Sequence, residues 1–345
     1  MGMRIAIVSG NPLAVEILRQ VVTSLSRHRV AWVASNGAEA VKRAAGETPD
    51  LVLMDLFLPG MDGSRATRMI MKEHPCAVLI VTDGISENAA KVFEAMGSGA
   101  VDASSTPLLG ADGSIKEAEP LLGKIAMIEK LIGKERLNGK THAVPDAPAA
   151  KATGSIIAVG ASTGGPKAIA DLLSRLPEKP GAPVVIVQHL DIQFSKGLVE
   201  WLSGQTRIKV TLARSGTRPE VNTAHVAGTN DHLVIGPDLA FHYVADPVDC
   251  PYRPSVDAFF HSLVRYWPRK GVAVLLTGMG GDGARGLLEL RNAGWHTIAQ
   301  DRETSVVYGM PKAAAELKAA VEILPIESIA DAVTKRIRSK EGLWR

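Results

Sequence analysis

Short runs of apolar residues without polar alternation recur along this chain, and each is followed by a stretch with helical spacing. Ile5 to Val8, Val30 to Ala34, Leu51 to Met54 and Ala77 to Val81 are four such runs, with a weaker one at Ala100 to Ala103. After the first, Leu13, Ile17, Val21 and Leu25 mark one helix face; Ala38 to Ala45 and Leu121 to Ile132 mark others. A strand without alternation is buried on both faces, and strands linked through helices pair in parallel. The N-terminal part is therefore expected to be an α/β unit, a five-stranded parallel sheet covered by helices on both faces. A second series, Ile156–Val159, Val184–Val187, Val272–Leu276 and Thr297–Ala299, predicts another doubly wound α/β unit. A stretch near Ala224 to Tyr243 reads as short strands in a hairpin-like excursion. Between the two series, residues 133–153 lose periodicity and are rich in Lys, Gly, Pro and Ala, as a linker is. The expected division is 1–132, a linker, and 154–345.

The 345 residues suit roughly two domains. Hydrophobic residues at 46% and charged residues at 22% match a folded globular chain and exclude a wholly disordered one. A net charge of +3 gives no reason to expect nucleic-acid binding. Cys76 and Cys250 are too few and too far apart for a disulfide framework, which fits a reducing compartment. No stretch approaches the ~18 apolar residues of a membrane span. The apolar start is too short for a signal peptide, so the expected location is the cytoplasm.

In doubly wound sheets function sits beyond the carboxyl ends of the strands. Asp55 stands there, in Leu53-Met54-Asp55-Leu56-Phe57-Leu58-Pro59-Gly60. Taken alone it is equally a turn or capping residue. With these residues, Met3 to Ile132 resembles the response-regulator receiver family. The resemblance implies that Asp55 is the phosphoacceptor, that Thr82 is the switch hydroxyl, and that Mg²⁺ is the cofactor of phosphorylation. Receivers, however, carry an acidic pair where this chain has Ser9 and Gly10. They also carry a Lys where it has Thr106 before Pro107. Hard cations favour carboxylate oxygens, so Mg²⁺ binding at Asp55 is expected to be weakened. A receiver acting as a fixed cover is the alternative.

In the second unit Ile156-Ile157-Ala158-Val159-Gly160-Ala161-Ser162-Thr163-Gly164-Gly165-Pro166 is a strand, a glycine-rich corner and a helix start. Its Gly-x-Ser-x-Gly fits a nucleophile elbow, although a helix cap after a strand is the commoner reason for such a serine. Val184 to Gln188 leads to His189, and Val272 to Leu276 leads through a glycine-rich loop to Asp282. Each is unremarkable singly, as a structural histidine or a turn aspartate. Jointly they put Ser, His and Asp on one edge of one sheet. Ser162 would attack a carbonyl, His189 would move the proton, and Asp282 would orient the imidazole. Backbone N–H groups near Met279 and at the Ser162 turn would hold the oxyanion. This chemistry calls for no cofactor.

The order Ser162, His189, Asp282 differs from the Ser, Asp, His order of α/β-hydrolases. With His225-Val226-Ala227-Gly228-Thr229-Asn230-Asp231-His232, Arg253-Pro254-Ser255-Val256-Asp257, Ala299-Gln300-Asp301 and Gly309-Met310-Pro311, it resembles the catalytic domain of chemotaxis protein-glutamate methylesterases, the CheB family. The similarity covers Gly154 to about Ile337 and departs at Gly228, where the family more often has Pro. It implies hydrolysis of γ-glutamyl methyl esters on methyl-accepting chemoreceptors, with deamidation of receptor glutamines as a further activity. It also implies a receiver that covers the active site and relieves inhibition on phosphorylation, and a Thr163 that helps to set the histidine. The partners implied are the receptor's cytoplasmic domain and the histidine kinase of a chemosensory array. The membrane would be approached only through the receptor. Trp32 to Val41 and Phe93 to Gly97 further resemble the Wsp surface-signalling branch.

Two other readings compete. Gly278-Met279-Gly280-Gly281-Asp282-Gly283 matches the dinucleotide-binding fingerprint, with Asp301 near the next strand end. Against it, Asp282 would repel a pyrophosphate, and Ser162 and His189 would have no task. A non-catalytic signalling adaptor is the other, motivated by the altered receiver. His225, His232 and His242 lack the pattern of a metal site. Trp201, Trp267 and Trp295 read as core or helix-face residues. Lys335 to Lys340 reads as the solvated end of a terminal helix.

Overall fold

A computed structural model describes residues 2–84, 88–110, 114–133, 154–246, 250 and 252–341. The chain divides into two compact units, residues 1–135 and 136–345. The expected linker lies outside the described residues, apart from Gly133, which closes the last helix of the first unit.

In the first unit β1 (Arg4–Val8), α1 (Pro12–Ser24), β2 (Arg29–Ala34), α2 (Gly37–Gly46), β3 (Leu51–Asp55), α3 (Gly63–Glu73), β4 (Ala77–Thr82), α4 (Ala89–Gly97) and β5 (Asp102–Ser105) alternate. A two-residue hairpin, β6 (Leu108–Leu109) and β7 (Ile115–Lys116), and α5 (Glu119–Gly133) follow. The sheet order is β2-β1-β3-β4-β5, all parallel. Ile5, Ile7, Leu51, Leu53 and Leu79 are fully buried, which is why these strands read as unbroken apolar runs. The weak strand expected at Ala100 starts later, at Asp102. Its polar sequence is held in place by Lys124 of α5, which bridges the Asp102 carboxylate at 3.0 Å and bonds the Ala103 carbonyl.

The second unit runs β8 (Ile157–Ala161), α6 (Gly165–Arg175), β9 (Val184–Gln188), α7 (Ile192–Ser203), β10 (Lys209–Leu212), β11 (Thr223–Val226), β12 (His232–Ile235), β13 (Phe241–Val244), α8 (Val256–Tyr266), β14 (Val272–Leu275), α9 (Ala284–Asn292), β15 (His296–Gln300), α10 (Met310–Glu316), β16 (Glu322–Leu324) and α11 (Ile326–Glu341). Among the described residues its main sheet has the order β10-β11-β9-β8-β14-β15-β16, all parallel. The hairpin-like excursion is only partly as expected. β12 and β13 do form an antiparallel pair, but β11 belongs to the main sheet, between β10 and β9. β11 is four residues long and contains Thr and His, so its burial on both faces had no apolar run to announce it.

From β8 the chain winds outward through β9 towards β10 on one side, then crosses to β14 on the other. β8 is thus a topological switch point, where the connections on its two sides diverge and leave a crevice. In α11 Lys335, Arg336 and Arg338 are exposed and Ile337 is buried, as expected of a terminal helix on the surface. Among the described residues no helix is long and apolar enough to cross a membrane.

Candidate active site

β9, β8 and β14 are adjacent, and their register aligns Ala161 with Gln188 and Gly160 with Leu275. The residues that follow these strands therefore emerge side by side. Ser162 directly follows β8, His189 directly follows β9, and Asp282 ends the loop after β14.

The Ser162 corner is fixed from several sides. Its N–H donates to the Thr277 carbonyl at 3.0 Å, and its carbonyl accepts from Gly165 N–H at 2.7 Å and Gln188 Nε2 at 2.9 Å. The N-cap of α6 is Gly164, in a left-handed conformation and without a side-chain cap. The Ser162 hydroxyl is thus not the helix cap that the bland reading made it. Because Ser162 N–H is committed to Thr277, an oxyanion donor from this corner must come from the peptides after it, which narrows the expectation.

The Met279 loop stands opposite. A Cβ at Gly278 would fall 2.7 Å from Ser162 Cβ and 2.2 Å from Met310 Sδ, so only glycine allows this approach. Gly278 N–H donates to Val307, and its carbonyl accepts from Gly309 and Met310 N–H. The peptide preceding Met279 is thereby pinned beside the serine. The Thr163 hydroxyl is buried and has no hydrogen-bond partner.

His189 Nε2 lies 2.7 Å from Asp282 Oδ2. The same Oδ2 accepts from Val256 N–H at 2.6 Å, and Oδ1 accepts from the Ser255 hydroxyl at 2.9 Å and Asp257 N–H at 3.1 Å. Burial alone would raise the Asp282 pKa. The His189 hydrogen bond and charge, with the Val256 and Asp257 amides, outweigh it and hold the carboxyl below its usual value. Two of the donors are amides at the start of α8, where the helix dipole also favours an anion. A carboxylate that stays ionised fixes Nε2 as the protonated nitrogen, which leaves Nδ1 to act as base. Nδ1 is buried and without a hydrogen-bond partner, so the bond to Ser162 Oγ is not made in this state. Such contacts commonly tighten only when substrate is bound.

Tyr252 stacks on the imidazole, with ring centroids 4.7 Å apart and planes 15° apart. Its hydroxyl occupies the space beside Gly280, 2.0 Å from where a Cβ would stand. One ring thus braces both the histidine and the Met279 loop. Burial and the nearby Asp282 raise the Tyr252 pKa, which keeps the phenol neutral. Its contribution has no motif in the sequence. Ser255, which stood in the sequence only within the family-like stretch Arg253 to Asp257, caps α8: its hydroxyl accepts from Ala258 N–H while donating to Asp282. His232, expected to be structural, accepts Ser255 N–H on Nδ1 at 3.0 Å and so supports that cap. His225 accepts Glu220 N–H, and His242 pairs with Asp238. Asp282 turned inward onto α8, with Tyr252 against Gly280, leaves the glycine-rich loop unsuited to a dinucleotide.

In the first unit Asp55 ends β3 and Ser9 follows β1, its neighbour in the sheet. Ser9 Oγ donates to Asp55 Oδ2 at 2.8 Å, and Phe57 N–H donates to Asp55 Oδ1 at 3.0 Å. Thr82 is buried at the end of the next strand, and Thr106 N–H donates to its carbonyl at 3.3 Å. Gly10 lies against Pro59, whose Cδ would be 3.2 Å from a Cβ there. Among the described residues no three His, Cys, Asp or Glu side chains gather as a metal site. The Asp55 carboxylate is thus bonded to a neutral hydroxyl at a position where the receiver resemblance leads one to expect an acid.

Comparison with known proteins agrees with both units. Residues 157–333 match the CheB methylesterase family, and residues 5–108 match the response regulator receiver domain. A protein-glutamate methylesterase/protein-glutamine glutaminase of Burkholderia orbicola is 51% identical over 95% of this chain and 97% of its own. A Pseudomonas aeruginosa protein of the same name is 50% identical over 95% of this chain and 98% of its own. The crystal structure of the Thermotoga maritima CheB methylesterase catalytic domain is 31% identical, with a TM-score of 0.52. It covers 54% of this chain and 100% of that one.

Proposed function

Since the chain belongs to the CheB methylesterase family and carries a receiver domain ahead of the esterase, we propose that it hydrolyses γ-glutamyl methyl esters on a chemoreceptor through Ser162, His189 and Asp282. The observation that carries this reading is the buried, unpartnered Nδ1 of an imidazole whose other nitrogen is bound to a buried carboxylate, next to a serine at a switch point.

Ser162 Oγ attacks the ester carbonyl carbon, and its proton passes to His189 Nδ1. The carbonyl π pair moves onto oxygen, where N–H groups of the Met279 loop and of the Thr163 corner receive the charge. Collapse breaks the bond to methoxide, which leaves as methanol with the proton from His189. Water then repeats the sequence on the acyl-serine and releases the glutamate carboxylate. With a glutamine substrate the leaving group is ammonia. Asp282 stays ionised throughout and stabilises the imidazolium.

The receiver is proposed to gate this site, the protein working in the cytoplasm beside receptor and kinase, within the Wsp branch that Trp32 to Val41 resembles. Methanol release from a methylated receptor cytoplasmic fragment tests both parts. The whole chain and a form comprising residues 154–345 should both release methanol, the shorter one faster. Equal rates would remove the inhibitory role, and no release by either form would remove the esterase.

Asp55 is the phosphoacceptor that the resemblance implies, and the Ser9 hydroxyl bound to it supports weak Mg²⁺ affinity. Ser9→Asp would supply the missing carboxylate. Mg²⁺ affinity, followed by isothermal titration, should then rise at least about tenfold. Low-millimolar binding by the wild type, unchanged by the substitution, would contradict this.

A further inference from the structure

Asp257 lies in the first turn of α8, and Asp282 lies just before α9. Each carboxyl group reaches to the start of the other's helix. Asp282 accepts the Val256 and Asp257 N–H groups at the start of α8. Asp257 Oδ1 accepts Gly286 N–H, in the first turn of α9, at 2.7 Å. The N-cap of α9 is Gly283, which has no side chain to close that turn, so the cap comes from Asp257. The helices meet closely here: a Cβ at Gly286 would stand 2.6 Å from Phe260 Cβ.

We propose that Asp257 is a positioning residue of the esterase, which by capping α9 holds the adjacent Asp282 against His189. The proposal rests on the Ser162, His189 and Asp282 reading. Gly283, the N-cap of that turn, is the residue next to Asp282, so closing the turn through Gly286 N–H steadies the helix start that directly follows Asp282. Asp257 is not itself in contact with the reacting atoms. Burial and the charge of Asp282 push its carboxyl up to about 8, against the opposing pull of the Gly286 amide, Arg285 and the Gly283 amide. Cys250 and Tyr252 lie close to the same carboxyls, and burial raises the pKa of each. Asparagine at 257 keeps an acceptor for Gly286 N–H and matches the aspartate in size.

The test uses the full-length protein, with kcat and KM for methyl-ester hydrolysis and the downfield proton resonance of His189 Nε2–H. In Asp257→Ala, kcat should fall roughly 30–100-fold with KM within about twofold, because a small misplacement of a catalytic group costs that much. The resonance should shift or broaden. Asp257→Asn should restore kcat to within about threefold of wild type and recover the resonance. Wild-type kcat in Asp257→Ala, with only the melting temperature lowered, would overturn the proposal. So would Asp257→Asn falling as far as Asp257→Ala. If the alanine variant does not fold, Asp257→Glu replaces it. The extra methylene displaces the acceptor, so Glu should lose kcat where Asn keeps it, and equal values would overturn the proposal. If wild type itself shows no ester hydrolysis, the triad reading fails, and an unchanged His189 resonance in Asp257→Ala or Asp257→Glu would still sink the positioning role separately.

Discussion

Ser162→Ala is expected to lower kcat for methyl-ester hydrolysis by at least about 10⁴-fold, or about 5.4 kcal/mol of transition-state stabilisation. The variant loses the attacking oxygen, and no neighbouring hydroxyl replaces it, since Thr163 Oγ1 belongs to the next residue on the turn and is buried. Stability should hardly change. The backbone bonds that fix the corner, from Ser162 N–H to Thr277 and from Gly165 and Gln188 to the Ser162 carbonyl, all survive. A single-turnover methanol assay with the receptor fragment, paired with a melting curve, separates the two quantities. Alanine retaining more than about a tenth of wild-type turnover would remove Ser162 as nucleophile, because residual catalysis from binding and oxyanion donors alone falls far short of that.

Asp282→Asn should cost about 10⁴-fold in kcat and, unlike the serine change, should also weaken the fold. All the donors around Asp282 point inward: His189 Nε2, Val256 N–H, the Ser255 hydroxyl and Asp257 N–H. An amide offers one oxygen and one NH₂, so its nitrogen must face donors in either orientation. If the nitrogen faces Nε2, the imidazole is driven to the tautomer with its proton on Nδ1, and the base is lost. If it faces Ser255 and Asp257, a buried amide loses its acceptor, at about 1–3 kcal/mol. The acid limb distinguishes the variant further. The folded-state pKa of Asp282 lies below its unfolded value, so its contribution is present above the unfolded pKa and disappears as pH falls through the folded one. Asp282→Asn should lack that part of the acid loss. Denaturant titrations at several pH values would show it, and an identical acid limb in both proteins would contradict the assigned charge.

Much of both folds was legible because buried parallel strands leave an unmistakable apolar run. Val184–Gln188 and Val272–Leu275 are examples, each ending close to the residue that enters the site. Strands of polar or mixed residues were not: Lys209–Leu212, at the sheet edge, and Thr223–Val226 owe their places to the neighbours they pair with, and the burial of Thr223–Val226 follows from topology. The same division runs through the site. Ser162, His189 and Asp282 were singled out because each follows a strand, and a strand end is visible in one dimension. Tyr252, Asp257 and His232 touch the triad or its supports through helix starts and ring faces that no local pattern encodes.

The sequence by itself determined the two α/β units, their parallel sheets, the family, and the residue types gathered at the strand ends. Periodicity and turn chemistry are local, and the local chain carries them. The tertiary structure alone decided which imidazole nitrogen faces the carboxylate and that Ser162 N–H is bound to Thr277. It alone showed that Ser9 occupies the Asp55 carboxylate and that Asp257 and Asp282 exchange caps between two helices. Those are distances between atoms far apart in the chain, set only once β8 lies between β9 and β14 and the starts of α8 and α9 are pressed together.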